Sequence, residues 1–310
     1  MDGPPGSWYF STMPPRRAHE GTRPAPPSIA FNRTKYGREL LVDAAMVSAL
    51  AGFDRTERPH RLDFFDILLV TRGRGEFRLD QRVERMEPGV VLFSRPGEVR
   101  QWRVPALDGA VLFFAPGFLT DAFSDPRFLD RFACFHPRRP SAAVRLTARE
   151  RRAFLARFAE MGPEIRTAPG DGTHALRALT YQLLVLLDRA YVRAHGAHPG
   201  ASRDLLVDRF RTLIEQRFAR VHRVAGYAQA LGVTARYLND RCRAAREGSA
   251  KALVQQRLVL EARRLLRYTD LPVHRISAGL GFPDPAYFAR FFRREAGRSP
   301  SVYRSSRGDA

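Results

Sequence analysis

A helix-turn-helix pattern that occurs twice near the C-terminus limits most strongly how this chain can fold. The first copy runs from Val224 to Arg243 and the second from Val273 to Arg294, about fifty residues further on. In each copy a short apolar helix ends at a Leu-Gly pair, Leu231-Gly232 or Leu280-Gly281. Glycine at that point can adopt the positive φ that closes a helix. The repeat therefore predicts two small helical units of the same design.

The second helix of each copy is predicted to begin at a capping residue, Thr234 or Asp284, with Pro285 in the first turn of the later copy. One stripe of each helix is apolar and is expected to face the core. Spacing of i, i+3, i+4 and i+7 groups the outward residues, which are Arg236, Asn239, Asp240 and Arg243 in one copy and Ala286, Ala289, Arg290 and Arg293 in the other, with Tyr287 at the edge. A tight turn followed by such a helix fits the major groove of DNA.

The charge of the chain indicates a polyanionic partner. The formal net charge is +20 and the isoelectric point is about 11.2. Residues 205–310 hold 21 Lys and Arg against 9 Asp and Glu, a net charge of +12, so the basic excess is concentrated in the part with the repeat. A nucleic acid and an anionic membrane surface would both qualify. The membrane alternative is disfavoured because no helix combines a uniformly basic face with a bulky apolar one.

Cysteine and hydropathy patterns restrict the location of the protein. Cys134 and Cys242 are far apart and form no CxxC spacing, which argues against a disulfide framework or a zinc site. No apolar run reaches the ~18 residues that a membrane span needs. No apolar stretch typical of a signal peptide occurs before about Ser28. We therefore expect a cytoplasmic protein with no membrane partner.

The rest of the chain predicts an α+β protein in which strands precede helices. Short strands between about Leu62 and Phe114, separated by Gly and Pro, favour an antiparallel sandwich or barrel. Helical spacing begins at about Thr147, and Thr173 is a plausible N-cap for a second helix. The predicted boundaries are a disordered tail at 1–28, a strand domain at 29–145, a helical segment at 146–196, a linker at 197–203 and an all-α domain at 204–310.

The segment between the two copies predicts a rigid spacer. Ser249 to Arg267 carries apolar residues at helical spacing, and a helix of 19 residues would span roughly 28 Å. Successive major grooves on one face of DNA are ~34 Å apart. A spacer of this length could therefore hold two recognition helices about one turn of DNA apart, so that a monomeric domain contacts two grooves.

Several of these strings resemble the C-terminal domain of the AraC/XylS family of bacterial transcription regulators. They are LEARRLL from Leu260 to Leu266, TDLPVHRI, GLGFPDPAYFARFFRREAGRSP and the final VYR. The resemblance implies double-stranded DNA as the partner and places a DNA-binding set on the two second helices: Thr234, Arg236, Tyr237, Asn239, Asp240, Arg243, Ala286, Tyr287, Ala289, Arg290, Arg293 and Arg294.

The side chains of this set suggest different contacts. Arg236 could form two hydrogen bonds with guanine and Asn239 two with adenine, while Asp240 could accept from cytosine or orient an arginine. Arg243, Arg293 and Arg294 are better suited to phosphate.

The strand region resembles the cupin-like sensor domain of the same family, on Asp66 followed by Gly73 and on the Pro96-Gly97 turn. Metal-binding cupins supply imidazoles from two motifs. Here Leu62 follows His60 at the next ligand position, and Arg100 stands where the later histidine would be. We therefore expect no metal and no cofactor. A metal-dependent cupin enzyme with an accessory basic domain remains the alternative function.

A small-molecule effector in the barrel is what the resemblance implies for this domain. The candidate effector-binding residues are His60, Phe65, Arg78, Arg100 and Trp102. An arginine in the pocket would favour an anionic effector. The alternative is that these residues belong to the core or the surface and bind no ligand.

Partners beyond DNA and the effector follow from the same resemblance. The leucine stripes of the helical segment could pair two protomers into a homodimer, or pack within the chain. RNA polymerase is a further possible partner. The operator, the effector and the choice between activator and repressor stay open.

Overall fold

The computed structural model describes residues 10–12, 26–50, 58–104, 106–123, 128–137, 139–167, 170–196, 204–245 and 247–305. The chain forms two compact units, with residues 26–198 in the first and 199–310 in the second. Of the predicted tail 1–28, only residues 10–12 and 26–28 are described, and the predicted linker 197–203 lies outside the described residues. No helix in the described ranges has the length and apolar character that crossing a membrane requires.

The first unit is built on two facing β-sheets. Its strands are β1 Phe10–Thr12, β2 Ser28–Phe31, β3 Val42–Met46, β4 His60–Leu62, β5 Phe65–Arg72, β6 Gly75–Leu79, β7 Arg82–Met86, β8 Val90–Ser94, β9 Val99–Arg103, β10 Asp108–Phe114 and β11 Ala143–Arg145. One sheet has the order β1-β2-β4-β9-β6-β7 and the other β11-β8-β5-β10-β3. The pairing is antiparallel as predicted, except that β2 and β4 run parallel.

Each face of the five-stranded sheet has its own core. Along β5, Leu68 and Val70 point towards the six-stranded sheet, where they pack among residues such as Phe77 and Trp102. Ile67 and Leu69 point the other way, towards the helices. This alternation follows from the two-residue period of a strand. The continuous apolar run of β5 is thus explained by burial on both faces.

Helices of the first unit close its outer core. They are α1 Gly117–Phe123, α2 Ala148–Thr167 and α3 Gly172–His195. The leucine stripe of α3, including Leu176, Leu183 and Leu187, is buried in the same core as Ile67 and Leu69. The stripe therefore packs within the chain and is not free to pair two protomers. The Thr173 cap prediction is wrong, because α3 already begins at Gly172, after Asp171.

The second unit is entirely helical in its described part. Its helices are α4 Leu205–Arg217, α5 Val224–Ala230, α6 Ala235–Ala244, α7 Ala250–Tyr268, α8 Val273–Gly279, α9 Pro285–Ala296 and α10 Pro300–Ser305. The spacer helix α7 has 19 residues and is capped by Ser249, which confirms the helix predicted between the two copies. Leu238 of α6, Leu258 of α7 and Phe288 of α9 belong to one buried cluster. The α+β architecture is confirmed.

The first turn of α2 is closed by a reciprocal cap. The Thr147 N–H donates to Glu150 Oε2 at 2.8 Å, and the Glu150 N–H donates to Thr147 Oγ1 at 3.3 Å. Arg193 of α3 also pairs with the Glu150 carboxylate. Hydrogen bonding from Arg193 is the main reason that the pKa of Glu150 is lowered from 4.5 to about 2.

Glu150→Gln should lower the stability of the first unit by about 1 kcal/mol at neutral pH, because the cap and the Arg193 pair are both weakened. The folded-state pKa lies below its ordinary value, so this stabilisation is complete above about pH 4.5 and is lost as the pH falls towards 2. Thermal unfolding of wild type and variant from pH 7 to pH 2 should show the difference shrinking with acid. Glu160→Gln, at an exposed position of α2, is the control and should show no such trend.

Candidate nucleic-acid interface

Helix α6 presents a polar outer face on an apolar base. Thr234 caps it, as predicted, by accepting the Tyr237 N–H at 3.1 Å. Leu238 and Cys242 are fully buried and fix the helix to the core. The side of α6 away from this core is exposed, and it carries Arg236, Tyr237, Asp240 and Arg243.

Helix α9 repeats this arrangement with different side chains. Asp284 accepts the N–H groups of Ala286 at 3.0 Å and Tyr287 at 2.9 Å. Phe288, Phe291 and Phe292 are buried beneath it. The residues exposed on α9 are Ala286, Tyr287, Arg290, Arg293 and Arg294, and Ala289 is half-buried. Tyr237 and Tyr287, at equivalent positions of the two helices, are each 51% exposed.

The same turn precedes both helices. Gly232 and Gly281 have φ values of 69° and 75°. The residue after each glycine donates its N–H back to the preceding helix, Val233 to Ala228 O and Phe282 to Ser277 O, both at 3.0 Å. The second turn is one residue longer, since Pro283 comes between Phe282 and the cap. Apart from this extra residue, the two copies predicted from sequence have the same local geometry.

Most charged groups on these faces are not used inside the domain. Within the described residues, the side chains of Arg236, Asp240, Arg243, Arg290 and Arg293 form no hydrogen bond or ion pair. Arg294 differs, because its Nε donates to Glu295 Oε1 at 2.7 Å. Exposed guanidinium groups without intramolecular partners can donate to phosphate oxygens or base edges.

The Asn239 side chain is less exposed than its outward position in the helical pattern predicted. Its side chain is half-buried, and its Oδ1 accepts the Ala250 N–H at 3.2 Å. Two simultaneous hydrogen bonds to adenine would need both Oδ1 and Nδ2. In this structure Asn239 joins the end of α6 to the start of α7, and one of the two acceptor positions of its Oδ1 is already used.

The interior of the first unit contains a buried polar cluster at the candidate effector residues. Arg100 pairs with Asp66 and donates from Nε to His60 Nε2 at 3.0 Å. Ser94 Oγ donates to Asp66 Oδ2 at 3.3 Å. Burial raises the pKa of Asp66, against the opposing effect of Arg100, and lowers the pKa of Arg100. Each charge is therefore stabilised mainly by the other.

The cluster brings together three of the five predicted effector residues. His60 and Arg100 are cross-strand partners, and the Arg100 guanidinium lies 4.7 Å from the centre of the Trp102 ring.

Phe65 points the other way and stacks on Phe114 at 5.2 Å, in the core beneath the helices. Arg78 lies on the face of β6 opposite to Phe77, where it pairs with Glu76 at 3.5 Å. The prediction that Phe65 and Arg78 frame the interior is wrong, because neighbouring strand residues alternate between faces.

Asp66 and Ser94 were missed as members of this cluster. A carboxylate within the apolar run from Phe65 to Val70 was the feature of the sequence that could have identified Asp66. Its Oδ1 atom is buried and finds no hydrogen-bond donor among the described residues.

Both ring nitrogens of His60 make contacts within the chain. Its Nε2 accepts from Arg100, so the proton sits on Nδ1, which lies 3.2 Å from Arg58 O. The lone pair that would bind a metal is thus already engaged. Among the described residues, no group of three or more His, Cys, Asp and Glu side chains could hold a metal ion.

Arg100→Met should destabilise the first unit by about 3–5 kcal/mol, because it leaves the Asp66 carboxylate buried without a counter-charge. Combining it with Asp66→Leu should restore most of this loss, since both charges are then absent. Chemical unfolding of the two single variants and the double variant measures the coupling. Additive losses in the double variant would show that the pair is not energetically coupled.

Both units match known families of domains. Residues 48–184 match the AraC-like ligand binding domain, and residues 227–306 match a helix-turn-helix domain. YpdC of Escherichia coli, named as an uncharacterized transcriptional regulator, is 26% identical over 78% of this chain and 82% of its own length. The transcriptional activator RhaR of Yersinia pseudotuberculosis is 24% identical over 79% of this chain and 83% of its own length.

Solved structures give weaker matches. The C-terminal domain of AraT from Geobacillus stearothermophilus is 29% identical, with a TM-score of 0.32 over 34% of this chain and 89% of that one. Fatty-acid-bound ToxT from Vibrio cholerae is 12% identical, with a TM-score of 0.37 over 85% of this chain and 94% of that one. The two domain matches, in this order along one chain and with these relatives, show that the protein belongs to the AraC/XylS family of transcription regulators, with an N-terminal ligand-binding domain and a C-terminal helix-turn-helix DNA-binding domain.

Proposed function

We propose that this regulator controls transcription by placing α6 and α9 in two successive major grooves of a promoter. One observation carries the proposal: two capped helices on a shared core both expose arginines that have no partner within the described residues. The 19-residue helix α7 between them supports a fixed separation close to one turn of DNA. The basic excess of this unit supports binding to the DNA backbone.

Within this proposal the two helices divide the contacts. Arg236 and Arg290 are the base-contacting arginines, because they lie in the second turn or earlier, near the helix N-termini that enter a groove first. Arg243, Arg293 and Arg294 lie later and contact phosphates. Asp240 accepts from cytosine or orients Arg236, and Ala286 and Ala289 suit thymine methyl groups. Asn239 acts by positioning α6 against α7, as its bond to Ala250 supports.

The cellular setting is part of the proposal. We infer that the protein works in the cytoplasm, as a homodimer that contacts RNA polymerase, and that it is not an enzyme. The relatives named as transcription regulators support this. Because the leucine stripe of α3 is buried within the chain, dimerisation would use another surface.

The proposed effector binds inside the first unit at the Asp66 cluster. The arginine expected to attract an anion is already neutralised by Asp66. One buried acceptor of the cluster, Asp66 Oδ1, has no hydrogen-bond donor among the described residues. A small neutral or cationic molecule with a hydroxyl or amino donor therefore fits better than a carboxylate.

Arg236→Ala and Arg290→Ala should each reduce discrimination between the selected DNA site and random DNA by ~1–3 kcal/mol, because each removes a base contact. The site is first selected from random duplexes with the full chain, and binding is then titrated over a range of salt. Wild type should show a steep decrease of log K with log salt.

Arg209→Ala is the matched control, an exposed arginine on α4 outside both helix-turn-helix units. It should leave discrimination unchanged. If Arg236→Ala and Arg290→Ala also leave it unchanged, the assignment of base contacts is wrong.

Ligands with hydroxyl or amino donors should raise the melting temperature of the full chain more than matched carboxylates do. At a hundredfold excess over Kd the expected rise is about 5–10 °C. Arg78→Ala, on the outer face of its sheet, should keep this response, whereas Asp66→Asn should lose it. Stabilisation by carboxylates alone would contradict the proposed chemistry.

A further inference from the structure

The two helix-turn-helix units touch each other at a point away from the spacer helix. Residues 218–222, in the loop between α4 and α5, lie against the turn of the second helix-turn-helix copy at Leu280, Gly281 and Phe282. The His222 Nε2 donates to Leu280 O at 2.8 Å, and the His222 and Phe282 rings are 4.6 Å apart. We call these contacts, together with the approach of Ala219 to Gly281, the clasp.

Gly281 marks the closest approach within the clasp. A Cβ added there would overlap the Ala219 carbonyl oxygen and carbon, and it would also meet His222 Nε2 at 3.4 Å. Gly232 is the equivalent glycine of the first helix-turn-helix copy and has a similar positive φ, yet nothing lies within 4 Å of its added Cβ. Both glycines satisfy a turn, but only Gly281 allows another part of the chain to pack against it.

The clasp is connected to both recognition helices. On one side, Tyr227 of α5 donates from its hydroxyl to Val221 O at 2.8 Å, which fixes the loop to the first helix-turn-helix copy. On the other side, the Phe282 ring contacts Phe288 at 5.2 Å and Phe291 at 5.0 Å, both on α9. A continuous set of contacts therefore runs from the helix that supports α6 to the helix α9.

The loop is also held against the spacer. The guanidinium of Arg257 on α7 lies 3.9 Å from the centre of the Phe218 ring, next to Ala219. The clasp and α7 thus connect the two helix-turn-helix copies by two separate routes. Two connections restrict rotation of one helix-turn-helix copy about the other far more than a single helix does.

We propose that His222 and Gly281 are positioning residues that set the spacing and angle between the two DNA-reading helices. The inference rests on the proposed function, since it concerns how α6 and α9 engage two subsites of one DNA site. With the clasp closed, only one distance and rotation between the subsites is accepted. The acceptor is a carbonyl, so the His222 Nε2 carries the proton that it donates.

The test uses the full chain and the DNA site that it selects from random duplexes. A second duplex carries one extra base pair between the two subsites, which rotates one by about 35° relative to the other. The measured quantity is the ratio of affinities for the native and the lengthened duplex. Wild type should prefer the native duplex by at least about tenfold, because one helix loses its base contacts.

His222→Ala and Gly281→Ala should bring this ratio below about threefold, with weaker binding to the native duplex. His222→Gln keeps a donor that can reach Leu280 O and should restore part of the preference. Gly232→Ala is the matched control, because it carries the same backbone strain without the contact to Ala219. It should lower the melting temperature but keep the wild-type ratio.

The outcomes separate two failures. If wild type selects a site but tolerates the extra base pair, or if His222→Ala keeps the wild-type ratio, the clasp does not set the spacing. A Gly281→Ala chain that fails to fold leaves His222→Ala and His222→Gln to decide. If wild type selects no DNA sequence at all, the proposed function fails instead.

Discussion

Neither helix-turn-helix unit is large enough to bury a core of its own, and this constraint governs the DNA-binding half of the protein. The structure meets it by giving both units one core, in which Leu238, Leu258 and Phe288 come from α6, α7 and α9. Because the inward stripes of α6 and α9 are committed to that core, their outward faces are determined as well. The exposed arginines of both helices follow from this packing.

The sensor half depends on a different interaction, the buried ion pair between Arg100 and Asp66. It joins β9 of one sheet to β5 of the other across the interior. The pair also explains why His60 is not arranged as a metal ligand, since Arg100 occupies its Nε2 lone pair. The Asp66 Oδ1 atom of this pair is buried and has no hydrogen-bond donor among the described residues.

Sequence patterns predicted the helical half well because its turns, caps and helices are determined by residues close together in the sequence. Leu-Gly turns, the caps Thr234 and Asp284, and the period of α7 each depend on a few neighbouring residues. The sensor half was harder, since Phe65 and Asp66 are adjacent yet face different cores. Which face of β5 meets the other sheet depends on tertiary register, as does the pairing of β2 with β4. The contact between His222 and Leu280, 58 residues apart, has no local pattern at all.

The central claim is that one chain contacts two adjacent grooves through α6 and α9. Hydroxyl-radical footprinting of the full chain on its selected DNA site tests this most directly. We expect two protected patches on one face of the duplex, about 10 base pairs apart for each bound chain. A single protected patch for each bound chain, or protection that does not depend on DNA sequence, would contradict the contact with two grooves.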